Sequence, residues 1–288
     1  MQSIIKRTVR LKKLVTCFIY LASKGEKMKV RSFLVVFVAF SSISLPAQLN
    51  KFGKPGLFAD KHTLYEYKKS NWDGTHSSTV FLYVAGNDRL ESFKWWEGDT
   101  VATLVTAVID WKNYSVSEFQ NHKLRKGRSP EMIAKLKGGK NLKIEVGEMR
   151  DSLLIAELPW QSYDFDFAGL SFIWRALLNK KDSFWFHIAD AAMINDQPKF
   201  VNKGKVSVKF IGDEMINNKQ CLKYFADGMG LENRGGYIWV NPQTFMIEQY
   251  KIALPDEPGF ENGMMQLIKI QTMSPGQWEL FKRKRLGE

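Results

Sequence analysis

Lys205-Val-Ser-Val-Lys-Phe210 is the stretch that decides the fold. Val206, Val208 and Phe210 fall on one side of an extended chain, and Lys205, Ser207 and Lys209 on the other. That period of two belongs to a strand with one face in a core and the other in water. Comparable segments lie to either side: Thr63–Tyr67, Thr79–Val84, Leu90–Trp96, Val101–Trp111, Leu142–Val146, Ser152–Ala156, Phe184–Ile188, Gln220–Phe225, Tyr237–Val240, Phe245–Ile252 and Met264–Thr272. Turn chemistry separates them, as in Asp73-Gly74, Gly86-Asn-Asp88, Gly98-Asp99, Asn217-Asn218, Gly235-Gly236 and Asn241-Pro242. Many short strands joined by turns predict a mainly β chain, a strongly curved antiparallel sheet or half-barrel.

Two stretches depart from alternation. Ser129–Lys137 carries helix signals, with Ser129 as N-cap, Pro130 at N1, Glu131 in the first turn and Gly138 just beyond. A short helix is expected there. In Phe165–Leu178 the residues Phe165, Gly169, Phe172, Ile173, Ala176 and Leu177 recur at helical spacing behind Asp164 or Asp166. This reads as the one main helix, packed on the sheet. Pro255-Asp-Glu-Pro258-Gly259 reads as a loop between the last two long strands, and no repeat or linker divides the chain. A single β-rich domain over residues 48–288 is expected.

The segment before it reads as an export signal. Met28-Lys-Val-Arg31 gives a cationic start, Phe33–Leu45 an apolar run, and Leu45-Pro-Ala47 a small residue at a cleavage point. The run is shorter than the ~20 apolar residues that span a bilayer. Residues 1–27 then form an upstream extension, Met28 is the expected start, and the mature protein is periplasmic or secreted. The first 47 residues hold nine lysines and arginines against Glu26 alone, so eight of the twelve net positive charges leave with them. With +4 remaining, nucleic acid is not an expected partner.

Much of the remaining positive charge lies in two runs, Lys123-Leu-Arg-Lys-Gly-Arg128 and Lys282-Arg-Lys-Arg285. Each reads as a solvated face, with peripheral contact of Lys282–Arg285 to membrane headgroups or anionic lipopolysaccharide as the alternative. Beyond Ala47 the chain keeps one cysteine, Cys221, which leaves no pairing for an intramolecular disulfide.

Catalytic and metal motifs find little support. His62, His76, His122 and His187 show no metal-ligand spacing. Gly138-Gly-Lys140 lacks the rest of a phosphate loop and reads as a hairpin turn, and no G-x-S-x-G or Ser-His-Asp grouping is present. Asp164-Phe-Asp166 has the spacing of a divalent-cation pair, but the chain has no βαβ pattern to carry a nucleotide fold, so helix capping is the preferred role. No enzyme activity, metal or cofactor is expected. The aromatic residues remain. Trp95 and Trp96 alternate, so only one can join a given core, and a curved sheet lined with aromatics suits an apolar ligand.

The residues Gly212-Asp-Glu214, Cys221-Leu-Lys-Tyr224, Arg234-Gly-Gly-Tyr-Ile-Trp-Val240 and Phe245-Met-Ile-Glu-Gln-Tyr250 carry a family resemblance. Over about residues 204–272 the chain resembles the periplasmic proteins grouped as domain of unknown function 3108 and, more remotely, the LolA and LolB lipoprotein carriers. The resemblance implies an antiparallel half-barrel wrapped around a helix, with Phe165–Leu178 as the plug of an apolar concavity. The candidate ligand-binding residues are Trp160, Tyr163, Asp164, Asp166, Phe172, Trp95, Trp111 and Trp239. The expected function is a non-catalytic binding or carrier module for an apolar small molecule or lipid. The alternative is a structural or interaction protein holding an envelope protein partner.

Overall fold

In the computed structural model, the residues described are 51–53, 60–155, 157–162, 171–194, 197–253 and 262–288. All belong to one unit, Gln48–Glu288. The expected signal segment, the Pro255–Gly259 loop and the first part of the expected main helix lie outside them.

Eight strands come first: β1 (Thr63–Asn71), β2 (Ser78–Val84), β3 (Arg89–Trp95), β4 (Val101–Asp110), β5 (Ser115–Arg125), β6 (Glu131–Lys137), β7 (Asn141–Val146) and β8 (Met149–Leu154). A two-residue strand β9 (Trp160–Gln161) leads to helix α1 (Ser171–Ala176). Then follow β10 (Phe184–Ile194), β11 (Gln197–Ile216), β12 (Lys219–Asp227), β13 (Gly236–Val240), β14 (Ile247–Ile252), β15 (Gly263–Thr272) and helix α2 (Pro275–Arg285).

All fifteen strands form one sheet, in the order β8 through β1, then β15 back through β9. Antiparallel pairing of β1 with β15, from Thr63 opposite Thr272 to Asn71 opposite Gly263, joins the two runs of hairpins. Only β9 and β10 pair in parallel. The expectation of a curved, mainly β sheet is met. Register shifts at Glu66/Tyr67, Val108/Ile109, Asn121/His122, Ile188/Ala189, Phe210/Gly212 and Trp239/Val240 bend and twist the strands. The sheet curls until edge strand β9 meets β5, where the Trp160 backbone N–H donates to Ser115 Oγ at 3.0 Å, and β8 approaches β11.

Alternation places side chains as expected in the deciding stretch, with Val206 and Val208 fully buried and Phe210 packed against the same core. The Arg234-Gly-Gly-Tyr motif has a steric reason. A Cβ on Gly236 would lie 2.0 Å from the Lys251 carbonyl oxygen, so only glycine lets β13 approach β14 there. Cys221 is a buried free thiol that burial pushes up to about 11, out of the reactive range.

The expected helix at Ser129–Lys137 is wrong: this stretch is β6, paired to β5 through Phe119 and Leu136 and to β7 through Leu136 and Ile144. Seven residues make a marginal helix by themselves, and only tertiary packing can hold one. Here the packing comes from two neighbouring strands, which leave Leu136 fully buried. Gly138-Gly-Lys140 is the turn from β6 to β7, as read, and a Cβ at Gly138 would lie 2.2 Å from the Asn141 oxygen. The main helix is shorter at its end than expected. It stops at Ala176, and Leu177 instead makes a β-bridge with Phe52.

Helix α2 has no counterpart among the sequence expectations. Ser274 caps it by accepting from the Gln277 N–H at 3.3 Å, Gln277 Oε1 accepts from the Ser274 N–H at 2.8 Å, and Pro275 sits at N1. The helix lies on the convex face of the sheet and, with β1–β5, closes a second hydrophobic core separate from the one on the concave side.

Candidate functional site

The concave side holds the larger core, and α1 sits in it. Every α1 side chain except that of Arg175 is buried. Ser171 Oγ accepts from the Ile247 N–H at 2.9 Å, tying the start of the helix to β14. At the other end Lys180 Nζ donates to the carbonyls of Trp174 (3.0 Å), Arg175 (2.7 Å) and Leu177, satisfying the acceptors a helix leaves open. Tyr224 Oη donates to the Lys180 carbonyl at 2.6 Å and secures that cap. Arg175 pairs with Asp60 and donates to the Thr244 carbonyl at 2.8 Å; burial pulls its guanidinium down to about 10. The short helix is held by its surroundings.

Of the candidate residues, Trp160, Phe172 and Trp111 belong to this concave region. Phe172 meets Trp111 edge-on with centroids 6.3 Å apart, and Trp174 packs edge-on against Phe184 at 5.1 Å and Tyr224 at 5.3 Å. Tyr67 lies at the bottom, where burial, reinforced by the charge of Glu248, pushes its phenol far above the ordinary value. Trp160 is fully buried, yet among the described residues its indole N–H has no hydrogen-bond partner. Tyr163, Asp164 and Asp166 lie outside the described residues. Among those described, no group of three or more His, Cys, Asp or Glu is gathered as a metal would require.

The other two candidates are elsewhere. Trp95 faces the convex core, donating through Nε1 to the Asp99 carbonyl at 3.0 Å, while Trp96 is exposed. Trp239 lies on the convex side of β13, where its Nε1 donates to Glu214 at 3.0 Å. Lys223 Nζ, 2.6 Å from the same carboxylate, lies over the rings of Tyr237 and Trp239, 4.4 Å and 5.3 Å from their centroids. The Lys223 and Trp239 hydrogen bonds hold Glu214 below the usual carboxylate range. The five described candidates therefore do not share one face of the sheet.

A cavity of about 720 Å³ opens on the convex side, between α2, strands β3–β5 and the turn after β5. Its lining includes Arg125 and Arg128 from one basic run and Lys282 and Arg283 from the other, so the fold brings together two runs far apart in sequence. Lys282 is taken up inside the fold, 2.8 Å from Glu279 and 3.4 Å from Glu91, and Glu91 also accepts from Trp278 Nε1 at 2.7 Å. Arg285 lies 5.0 Å over the Trp95 ring and 5.4 Å over Phe81. The C-terminal run is thus no uniform solvated face: Arg283 and Lys284 are exposed, and the other two cations are engaged within the fold.

No family model matches the chain, so the likeness of residues 204–272 to domain of unknown function 3108 stays a resemblance. No curated protein matches it. Among solved structures, the chain is similar to MucB at a TM-score of 0.26 and 10% identity, covering 83% of this chain and 62% of MucB. It is similar to a protein described as exported, with a YmcC-like fold, from Bacteroides fragilis (TM-score 0.27, 13% identity, 77% of this chain and 100% of that one). A domain described as an outer membrane lipoprotein-sorting protein from Vibrio parahaemolyticus gives a TM-score of 0.22 at 10% identity, over 80% of this chain and 94% of that domain. Likenesses at these scores carry no argument, and function rests on the chain's own residues.

Proposed function

We propose that the protein is exported to the cell envelope and acts there without catalysis, as a binding or carrier protein for an apolar chain such as the acyl chain of a lipid. The binding region is the concave side, with Trp160 and Trp111 in contact with the ligand and α1, whose Phe172 packs on Trp111, as a displaceable plug. The observation that carries this reading is the indole N–H of Trp160, fully buried and without a partner among the described residues. A buried donor without an acceptor costs about 1–3 kcal/mol, and such a group calls for a partner from outside the chain. An acyl chain bearing an ester or carboxyl oxygen supplies one while replacing the apolar side chains of α1. Edge strands β8 and β9 are not paired with each other, so the concave side is closed by side chains and by α1 rather than by a continuous ladder.

Native mass spectrometry of the protein purified from its own envelope tests the proposal. A co-purifying acyl lipid is expected, with its occupancy reduced several-fold by Trp160→Phe, which keeps the aromatic volume and removes the donor. Protein that carries no lipid, and whose tryptophan fluorescence does not respond to added long-chain fatty acid, would end the reading.

A further inference from the structure

We propose that the convex cavity beside α2 is a binding site for a phosphate-type anion, whether free in solution or borne by a lipid headgroup. It is independent of the concave-side reading and uses different residues.

Arg125, Arg128 and Arg283 line the cavity from two separate elements, and among the described residues none of their guanidinium groups makes an ion pair or a hydrogen bond. The carboxylates nearby already have partners. Glu91 accepts from Trp278 and Lys282, Glu279 pairs with Lys282, and Glu288 Oε1 accepts from the Gly127 N–H at 2.8 Å. Three arginines without an ion-pair partner among the described residues therefore line one space, and Glu91 and Glu279 are already paired with Lys282.

Cations near the end of α2 complement the helix dipole, which accounts for Arg283 by itself. It does not account for Arg125 and Arg128, which come from the end of β5 and the following turn. That turn is tied to the residues after α2, where Glu288 Oε1 accepts from the Gly127 N–H. Guanidinium presents a planar fork of donors that matches phosphate in a way a lysine point charge does not. Leu104, Leu124 and Leu286 form an apolar part of the lining, which also suits the first carbons beside a headgroup. At about 720 Å³ the cavity is in the range of small-molecule sites.

The test uses the purified full chain with two probes: inorganic pyrophosphate, followed by calorimetry, and vesicles of phosphatidylglycerol against phosphatidylcholine, followed by co-sedimentation. Saturable binding of at least one anionic probe is expected; pyrophosphate binding points to a soluble source, and binding to phosphatidylglycerol vesicles alone points to a headgroup. The double variant Arg125→Gln/Arg128→Gln should weaken binding at least tenfold, and Arg283→Gln about tenfold. Arg125→Lys/Arg128→Lys keeps charge and fold and should still weaken binding several-fold. Lys143→Gln removes an exposed cation on β7, away from the cavity, and should change it less than twofold. Binding of neither anionic probe overturns the proposal. So does equal loss from Lys143→Gln, or full retention in the double lysine variant, since either result describes general charge attraction rather than a built site.

Discussion

Among the described residues each face of the sheet carries one α-helix, and the two are held in opposite ways. Helix α1 spans Ser171–Ala176, buries nearly every side chain, and depends on Ser171, Lys180 and the Phe52 bridge to keep its place. Helix α2 is longer, Pro275–Arg285, carries its own capping box, and buries only Trp278 and Lys282 within its span. A helix of six residues has too few internal hydrogen bonds to be stable alone, so α1 exists because the concave core surrounds it. For α2 the local signals and the tertiary contacts agree. The difference teaches that burial along a helix and local helical stability are separate quantities.

The largest expected effect comes from removing the aromatic anchor of each helix. Trp174→Ala opens a cavity in the concave core and should destabilise the fold by about 3–5 kcal/mol in urea unfolding. Trp278 is as deeply buried, stacked on Tyr83 at 5.0 Å and edge-on to Phe93 at 6.1 Å, but it anchors an element at the end of the described chain. Trp278→Ala should therefore release α2, with hydrogen-exchange protection lost from β2–β4 on the convex side and retained in β10–β13. Equal loss of protection in both regions would show that the two cores unfold as one and that the contrast between the faces is only geometric.

A smaller effect separates the polar part of the convex core from its apolar part. Glu91 is buried and serves both Trp278 Nε1 and Lys282 Nζ. Glu91→Leu leaves a buried lysine with only Glu279 beside it and should cost about 2–3 kcal/mol, below the ~3–5 kcal/mol for a fully stranded buried charge because the second carboxylate remains. Adding Lys282→Met should recover much of the loss. A double variant no more stable than the single one would place the importance of Glu91 in its hydrogen bond to Trp278.

The strand elements were legible because a sheet with two unlike faces writes a period of two into its sequence, as in Val206–Phe210. Ser129–Lys137 misled because Ser129 and Pro130 are cap signals in a turn that leads into a strand, and pairing with β5 and β7 outweighs a local preference worth little in seven residues. Ser274, Pro275 and Gln277 spell the start of α2, but the basic run Lys282–Arg285 that ends it reads from sequence as a solvated face. The candidate site was legible only in part. Trp160, Phe172 and Trp111 share the concave region, whereas alternation says that Trp95 and Trp239 have a face but not which face of a curled sheet. The meeting of Lys123–Arg128 with Lys282–Arg285 depends on where α2 docks, which neither run encodes alone.

The smallest expected effect concerns His122, on β5 in the lining of the convex cavity. Its Nδ1 is shut from solvent without a partner among the described residues, and burial holds its pKa below the ordinary value of 6.5. In the unfolded chain the imidazole takes up its proton near that ordinary value, so on acidification the unfolded state binds the proton first. The folded state is therefore favoured fully above about pH 6.5, and that contribution declines as the pH falls below it. Urea midpoints compared at about pH 7.5 and about pH 5.5 should show a drop in the native protein that is smaller in His122→Gln, which cannot titrate. A drop of equal size in both proteins would assign the acid sensitivity to groups other than His122; Glu214, whose pKa is lowered from 4.5, gives the same sign only below about pH 4.5. The convex cavity would then be no more sensitive to protons than the rest of the surface.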